Sequence, residues 1–178
     1  MDELQEFQEV AIYSETARRS FTMFVRKDIR ALFQELYDKL EGATLEPVAI
    51  VVDGVRRYHG FNSAEWLARH QASNPKGARI LAYAMHSDKA LVGKRRTRSG
   101  HPFNLFPLRG GIQHTRKPSN VCRLGYVPAV QSRDLGIPDT HDKRNTKERD
   151  LLAQVDYEVL QLSTQRLLTD LKAACTRG

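Results

Sequence analysis

A single carboxylate, Asp88, follows the apolar run Arg79-Ile-Leu-Ala-Tyr-Ala-Met85, and no further Asp or Glu occurs until Asp134. Between them stand ten cations: Lys89, Lys94, Arg95, Arg96, Arg98, Arg109, Arg116, Lys117, Arg123 and Arg133. The whole chain carries +7, so the remainder sums to −3 and the basicity is local. A carboxylate at a strand end beside an uninterrupted cationic field fits a polyanion partner, with a divalent metal as a further candidate. The same Asp also suits a turn-forming or capping role. Lys94-Arg-Arg-Thr-Arg98 suits phosphate contact, a short nuclear-import patch or a solvated basic loop.

Other residues compete for chemical roles and fare less well. Asp53 follows Ala-Ile-Val-Val and imitates a catalytic strand end, which makes it the main rival to Asp88. The six histidines (His59, His70, His86, His101, His114 and His141) include no i, i+4 pair with a third ligand nearby, which argues against zinc. His86 and Asp88 alternate onto one strand face. Tyr58, Trp66, Phe103, Phe106 and Tyr126 could stack on bases, yet their strand and helix positions favour core packing. Cys122 and Cys175 lack CxxC spacing and an evident base, so neither a disulfide framework nor nucleophilic catalysis is expected. Walker, GxGxxG, GxSxG and HExxH motifs are absent.

The elements that must position these residues form four blocks. With 178 residues, 40% of them apolar, the chain suits one domain or one domain with a helical arm. Residues 1–45 read as an N-terminal helical segment, because Val25, Ile29, Leu32, Phe33, Leu36, Tyr37 and Leu40 recur at about 3.6 spacing before Gly42. Pro47 to Gly54 reads as a short buried strand, and Asn62 to His70 as a helix capped by Asn62 or Ser63. A β-meander follows: strands over 79–92, 103–108 and 120–130, with Asp88 near the far end of the first and Pro107 weakening the second. The polar stretch 132–147 leads to a long amphipathic helix, marked by Leu151, Leu152, Val155, Val159, Leu160, Leu167, Leu168 and Leu171. No stretch approaches a membrane span, and the acidic opening residues do not read as a signal peptide. A soluble, intracellular protein is expected.

Three strands and then a helix is the order in which an RNase H-type sheet begins, with a catalytic Asp on its first strand. That chemistry needs two divalent metals roughly 4 Å apart, held by several carboxylates, so that attacking and leaving oxygens are both stabilised. One Asp cannot do this. The residues that frame it carry a resemblance. Pro75-Lys-Gly-Ala-Arg-Ile-Leu-Ala-Tyr-Ala-Met-His-Ser-Asp-Lys-Ala-Leu91 resembles the core of Plavaka-type DNA transposases, found mainly in fungal genomes. Phe103 to Ile112, Arg116-Lys-Pro-Ser119, Arg123-Leu-Gly-Tyr-Val-Pro128 and the helix around Gln165 to Leu171 are similar to the segments that follow in that family. The similarity covers about residues 65–178.

The resemblance implies an α/β (α+β) chain in which 46–178 is an incomplete RNase H-like core: an antiparallel three-strand meander, then a long helix. It implies Asp88 as the first acid of a DDE/D site and a ligand of Mg2+ or Mn2+ in the parent family. Ala90 replaces the family's Thr and Gly111 its Asn, and the second and third acids have no counterpart. The chain is therefore expected to be a truncated or degenerate copy, inactive alone and with no metal held stably. DNA is the expected partner, met through Lys89, Lys94, Arg95, Arg96, Arg98, Arg116 and Lys117, and the nucleus the expected location. The apolar stripe of the C-terminal helix, if left uncovered, suits self-association or a protein partner. An alternative from another class is a small basic nuclear interaction protein that binds a protein partner or RNA.

Overall fold

A computed structural model describes residues 6–40, 49–57, 63–78, 80–92, 98–108, 121–138 and 145–176. Its strands are β1 (Phe7–Ser14), β2 (Arg19–Arg26), β3 (Ile50–Val52), β4 (Val55–Arg57), β5 (Tyr83–Ser87), β6 (Ala90–Val92), β7 (Arg98–Pro107) and β8 (Cys122–Pro128). The helices are α1 (Ile29–Asp38), α2 (Glu65–Ser73) and α3 (Thr146–Thr176), with a 3-10 turn at Ser132–Leu135. The fold is mixed α+β. An antiparallel sheet runs in the order β1-β2-β8-β7-β5, with β6 paired to β7, while β3 and β4 form a separate hairpin. β5, β7 and β8 are sheet neighbours and α3 comes next in the chain, but the sheet is not the expected three-strand meander, since β1, β2 and β6 also belong to it.

The chain divides into two compact units, one built from the described residues of Met1–Arg30, Ser87–Phe103 and Arg123–Gly178, the other from those of Ala31–His86 and Asn104–Cys122. In the first unit the N-terminal expectation needs correction. Residues 7–26 form a β-hairpin, not a helix, and among the described residues of this segment only Ile29–Asp38 is α-helical. The physical reason is a period of two: Phe21, Met23 and Val25 are buried while Ser20 and Thr22 are exposed. Val25, counted in the helical spacing, belongs to this alternation. The two strands pair along their whole length, from Phe7 with Arg26 to Ser14 with Arg19.

Helix α3 supplies the core of this unit. Asn145 and Glu148 start it with reciprocal side-chain to backbone bonds of 2.9 Å each, a capping box. Val155, Val159, Ser163, Leu167 and Leu171 are buried in one i, i+4 row. Val155 and Val159 pack with Phe21 and Val130. Leu167 meets β8 at Gly125, where an added Cβ would lie 2.5 Å from the Phe24 carbonyl oxygen and 3.4 Å from Leu167 Cδ2. Only glycine lets β2, β8 and α3 approach this closely.

The hairpin turn is fastened to the same helix. Ser14 Oγ donates to Glu158 Oε2 at 2.7 Å, and the Glu15 and Thr16 amides donate to the same carboxylate at 2.9 and 3.4 Å. These donors, Ser14 foremost, hold the Glu158 carboxyl below its ordinary value against a smaller opposing effect of burial.

In the second unit α1 buries Leu32 and Leu36, and Phe33 meets Tyr83 with ring centroids 5.8 Å apart. The strand expected over 47–54 is corrected: Ile50–Val52 is one arm of a hairpin, and Val51 and Val52 are 62% and 46% exposed. Asp53 and Gly54 form its two-residue turn with φ of 52° and 72°, as a type I′ turn requires. Ala64, not Ser63, immediately precedes α2 and makes no side-chain cap bond, while Asn62 lies outside the described residues. Gln71 in α2 brackets the incoming chain, donating to the Ala78 carbonyl at 2.6 Å and accepting from the Ile80 amide at 3.2 Å.

Gly125→Ala should cost about 2–4 kcal/mol, because the nearest obstacle is a backbone carbonyl that cannot swing aside. A smaller loss than about 0.5 kcal/mol in urea denaturation would contradict the close approach. Because the folded-state pKa of Glu158 is depressed, its contribution is present above the ordinary glutamate range near 4.3 and is lost as pH falls through the lower folded value. Glu158→Gln should therefore lose about 1 kcal/mol at neutral pH and show a flatter fall in stability on acidification than wild type, measured by denaturation at several pH values.

Candidate functional site

Asp88 lies not within a long strand but in a break. The expected strand over 79–92 is two pieces, β5 and β6, joined by Asp88 and Lys89. The run is also less buried than its apolar residues imply: Met85, His86 and Ser87 are exposed, as are Asp88 and Lys89. β6 then pairs antiparallel with the start of β7, Ala90 with Gly100 and Val92 with Arg98. Asp88 thus stands at the surface where the chain leaves one short strand and enters the next. Its side chain is exposed.

Lys89 is engaged from α3. Its Nζ lies 3.6 Å from Asp156 Oδ2, and Asp156 Oδ1 accepts the Val130 amide at 2.8 Å. Both ion-pair partners are partly solvated, 51% and 27% exposed, so the pair itself contributes under about 1 kcal/mol. Its effect is positional: Asp156 ties the first cation of the basic window to the long helix and to the chain leaving β8.

The remaining cations divide sharply. Lys94, Arg95, Arg96, Arg116 and Lys117 lie outside the described residues, as does Arg109. The backbone of Arg98 opens β7. In the chain, residues 93–97 lie between β6 and β7, and residues 109–120 between β7 and β8. Arg123 on β8 holds its guanidinium 4.6 Å from the centroid of Tyr126, whose ring meets Phe7 edge-on at 5.8 Å. The Tyr126 ring is therefore half-buried beneath a cation and against Phe7. Arg133 is exposed in the 3-10 turn that follows.

Metal chemistry finds little to build on. No group of three or more His, Cys, Asp or Glu able to hold an ion occurs among the described residues. A lone exposed carboxylate does not fit the donor set of a two-metal centre, so no metal-dependent step is assigned to these residues. Asp53, the rival, is an exposed turn residue whose left-handed backbone accounts for its presence. Cys122 is buried in β8 and Cys175 is exposed. No helix among the described residues is long and apolar enough to cross a membrane.

Sequence reasoning missed Asp156 and Glu158, the two α3 carboxylates that fasten Lys89 and the hairpin turn. Both partnerships span many residues, 144 in the case of Ser14 and Glu158, so no local pattern announces them. It also missed Arg19, which donates to the Asp134 carbonyl and lies 5.5 Å from the Phe21 ring centroid. Compared with known proteins, the chain matches no family model, no curated protein and no solved structure.

Asp88→Asn should leave stability within about 0.5 kcal/mol of wild type, as expected for an exposed residue without packing. Asp156→Ala should cost more, about 1–2 kcal/mol, because the Val130 amide loses its acceptor. Thermal denaturation of both variants checks the order; an inverted order would contradict the placement of the two carboxylates.

Proposed function

We propose that this chain is a DNA-binding segment of an RNase H-like transposase core of the Plavaka kind, with an incomplete catalytic set and no strand transfer of its own. One observation carries the reading: ten cations and no carboxylate lie between Asp88 and Asp134, and this window runs along β6, β7 and β8 and their connections. A field of one sign along adjacent strands attracts a polyanion, and a phosphate backbone is the polyanion whose charge spacing rewards an extended set of cations. The β5-β7-β8 neighbourhood followed by α3 supports the RNase H-like reading, since it keeps the first half of that topology in order. In this reading Asp88, just past the end of β5, is the counterpart of the first acid of such a site.

In this reading the protein holds DNA by counterion release and positions it without sequence readout. Arg98, Arg116 and Lys117, with Lys89 and the Lys94–Arg96 run, contact phosphates. The acids that Mg2+ or Mn2+ would require beyond Asp88 have no counterpart among these residues, and the site of action is the nucleus.

A mobility-shift titration tests this. Duplex DNA should bind at low salt, and affinity should fall steeply as salt rises. Replacing Lys94, Arg95, Arg96 and Arg98 by Gln should weaken binding about tenfold or more at a fixed salt concentration and reduce the salt slope. Absence of binding at low salt would overturn the reading. Robust DNA nicking with Mg2+ or Mn2+ by the isolated chain would overturn the claim that the catalytic set is incomplete.

A further inference from the structure

One i, i+4 row of α3 is committed to the core: Val155, Val159, Ser163, Leu167 and Leu171. The row one residue on reads Asp156, Leu160, Thr164, Leu168 and Lys172. Each four-residue step turns the helix by about 40° beyond a full turn, so the second row winds round the helix in parallel with the buried one and stays about 100° from it. Leu168 is 48% exposed there, and Leu160 and Thr164 are half-buried.

This flank is more apolar than its composition implies. Thr164 Oγ1 donates to the Leu160 carbonyl at 2.7 Å and Thr169 Oγ1 to the Gln165 carbonyl at 2.9 Å. Hydroxyls folded back on their own helix have their bonding satisfied and ask nothing of a partner. A shallow depression of about 580 Å³ lies along the row, lined by Leu160, Gln161, Thr164, Gln165, Leu168 and Lys172 among others.

We propose that this flank is a self-association surface, on which α3 of a second copy of the chain lies antiparallel about a two-fold axis at Thr164. The row selects that occupant. It is symmetric in shape about Thr164, with a leucine four residues to either side, and antisymmetric in charge, with Asp156 at one end and Lys172 at the other. A two-fold axis through Thr164 sets Leu160 against Leu168 of the partner subunit and Asp156 against Lys172 of the partner subunit, and repeats both contacts by symmetry. Asp156 is already fixed by the Val130 amide and by Lys89, so its carboxylate loses little freedom on meeting another cation. The row is about 24 Å long, which makes the interface small and the dimer weak.

Sedimentation velocity over a concentration series of the full chain tests this, with circular dichroism to confirm that each variant folds. Wild type should show a monomer–dimer equilibrium that shifts toward monomer as salt rises. Leu168→Arg and Lys172→Glu, both at exposed positions, should each raise the dimer dissociation constant about tenfold or more. In a Cys175→Ser background, Thr164→Cys should oxidise to a disulfide-linked dimer, while the off-row control Gln154→Cys should not. A wild-type chain that stays monomeric throughout overturns the proposal and leaves the flank to a different partner. So does a dimer indifferent to both Leu168→Arg and Lys172→Glu, or equal cross-linking at positions 154 and 164. None of these outcomes bears on DNA binding, which is read from mobility shift alone.

Discussion

The contact between one row of α3 and the β1–β2–β8 part of the sheet is the constraint on which the first unit depends. Val155, Val159, Leu167 and Leu171 are each fully or nearly fully buried, and each contributes about 1.5–3 kcal/mol of transfer free energy. The carboxylate fastenings from the same helix are individually worth less, about 1 kcal/mol once solvent exposure is allowed for. Burial therefore holds the helix down, and the polar bonds set where along the sheet it sits. Gly125 makes the contact geometrically possible. Glu158 and Asp156, two residues apart on the helix, fix the hairpin turn on one side and the chain around Lys89 and Val130 on the other.

This arrangement also sorts charge. Carboxylates gather on the helix, at Glu148, Asp150, Asp156, Glu158 and Asp170, while β6, β7 and β8 carry none. One helix carboxylate reaches across to Lys89; the rest of the strand window keeps its cationic character. Acid residues that stabilise the fold are thereby kept off the surface that a polyanion would meet. In salt near physiological strength the field of that window acts over about 8 Å, so its cations act on a partner in contact rather than at a distance.

Several features were readable from residue pattern because their causes are local. The apolar spacing of α3 follows from 3.6 residues per turn, and Leu32 and Leu36 do the same for α1. The meander strands declared themselves through β-branched and aromatic runs bounded by Gly and Pro. Residues 7–26 misled because Val25 continues the helical spacing of Ile29 and Leu32 while also completing the Phe21, Met23, Val25 alternation; pairing with β1 decides between the two. Asp-Gly at 53–54 is a hairpin signal, and β4, only three residues long, is too short to stand out. The break at Asp88 and Lys89 had no local mark, since the apolar run up to Met85 reads equally well as one strand. The tie between Lys89 and Asp156 exists only in the folded chain.

The central claim is that the acid-free window from Lys89 to Arg133 is the part of the chain that meets DNA. Lysine acetylation footprinting with mass-spectrometric readout, with and without a duplex, tests it most directly. The account predicts that DNA protects Lys89, Lys94 and Lys117, while Lys39, Lys76 and Lys147 react at unchanged rates. Protection spread evenly over all lysines, or concentrated on Lys147 and Lys39 with the window unprotected, would contradict it.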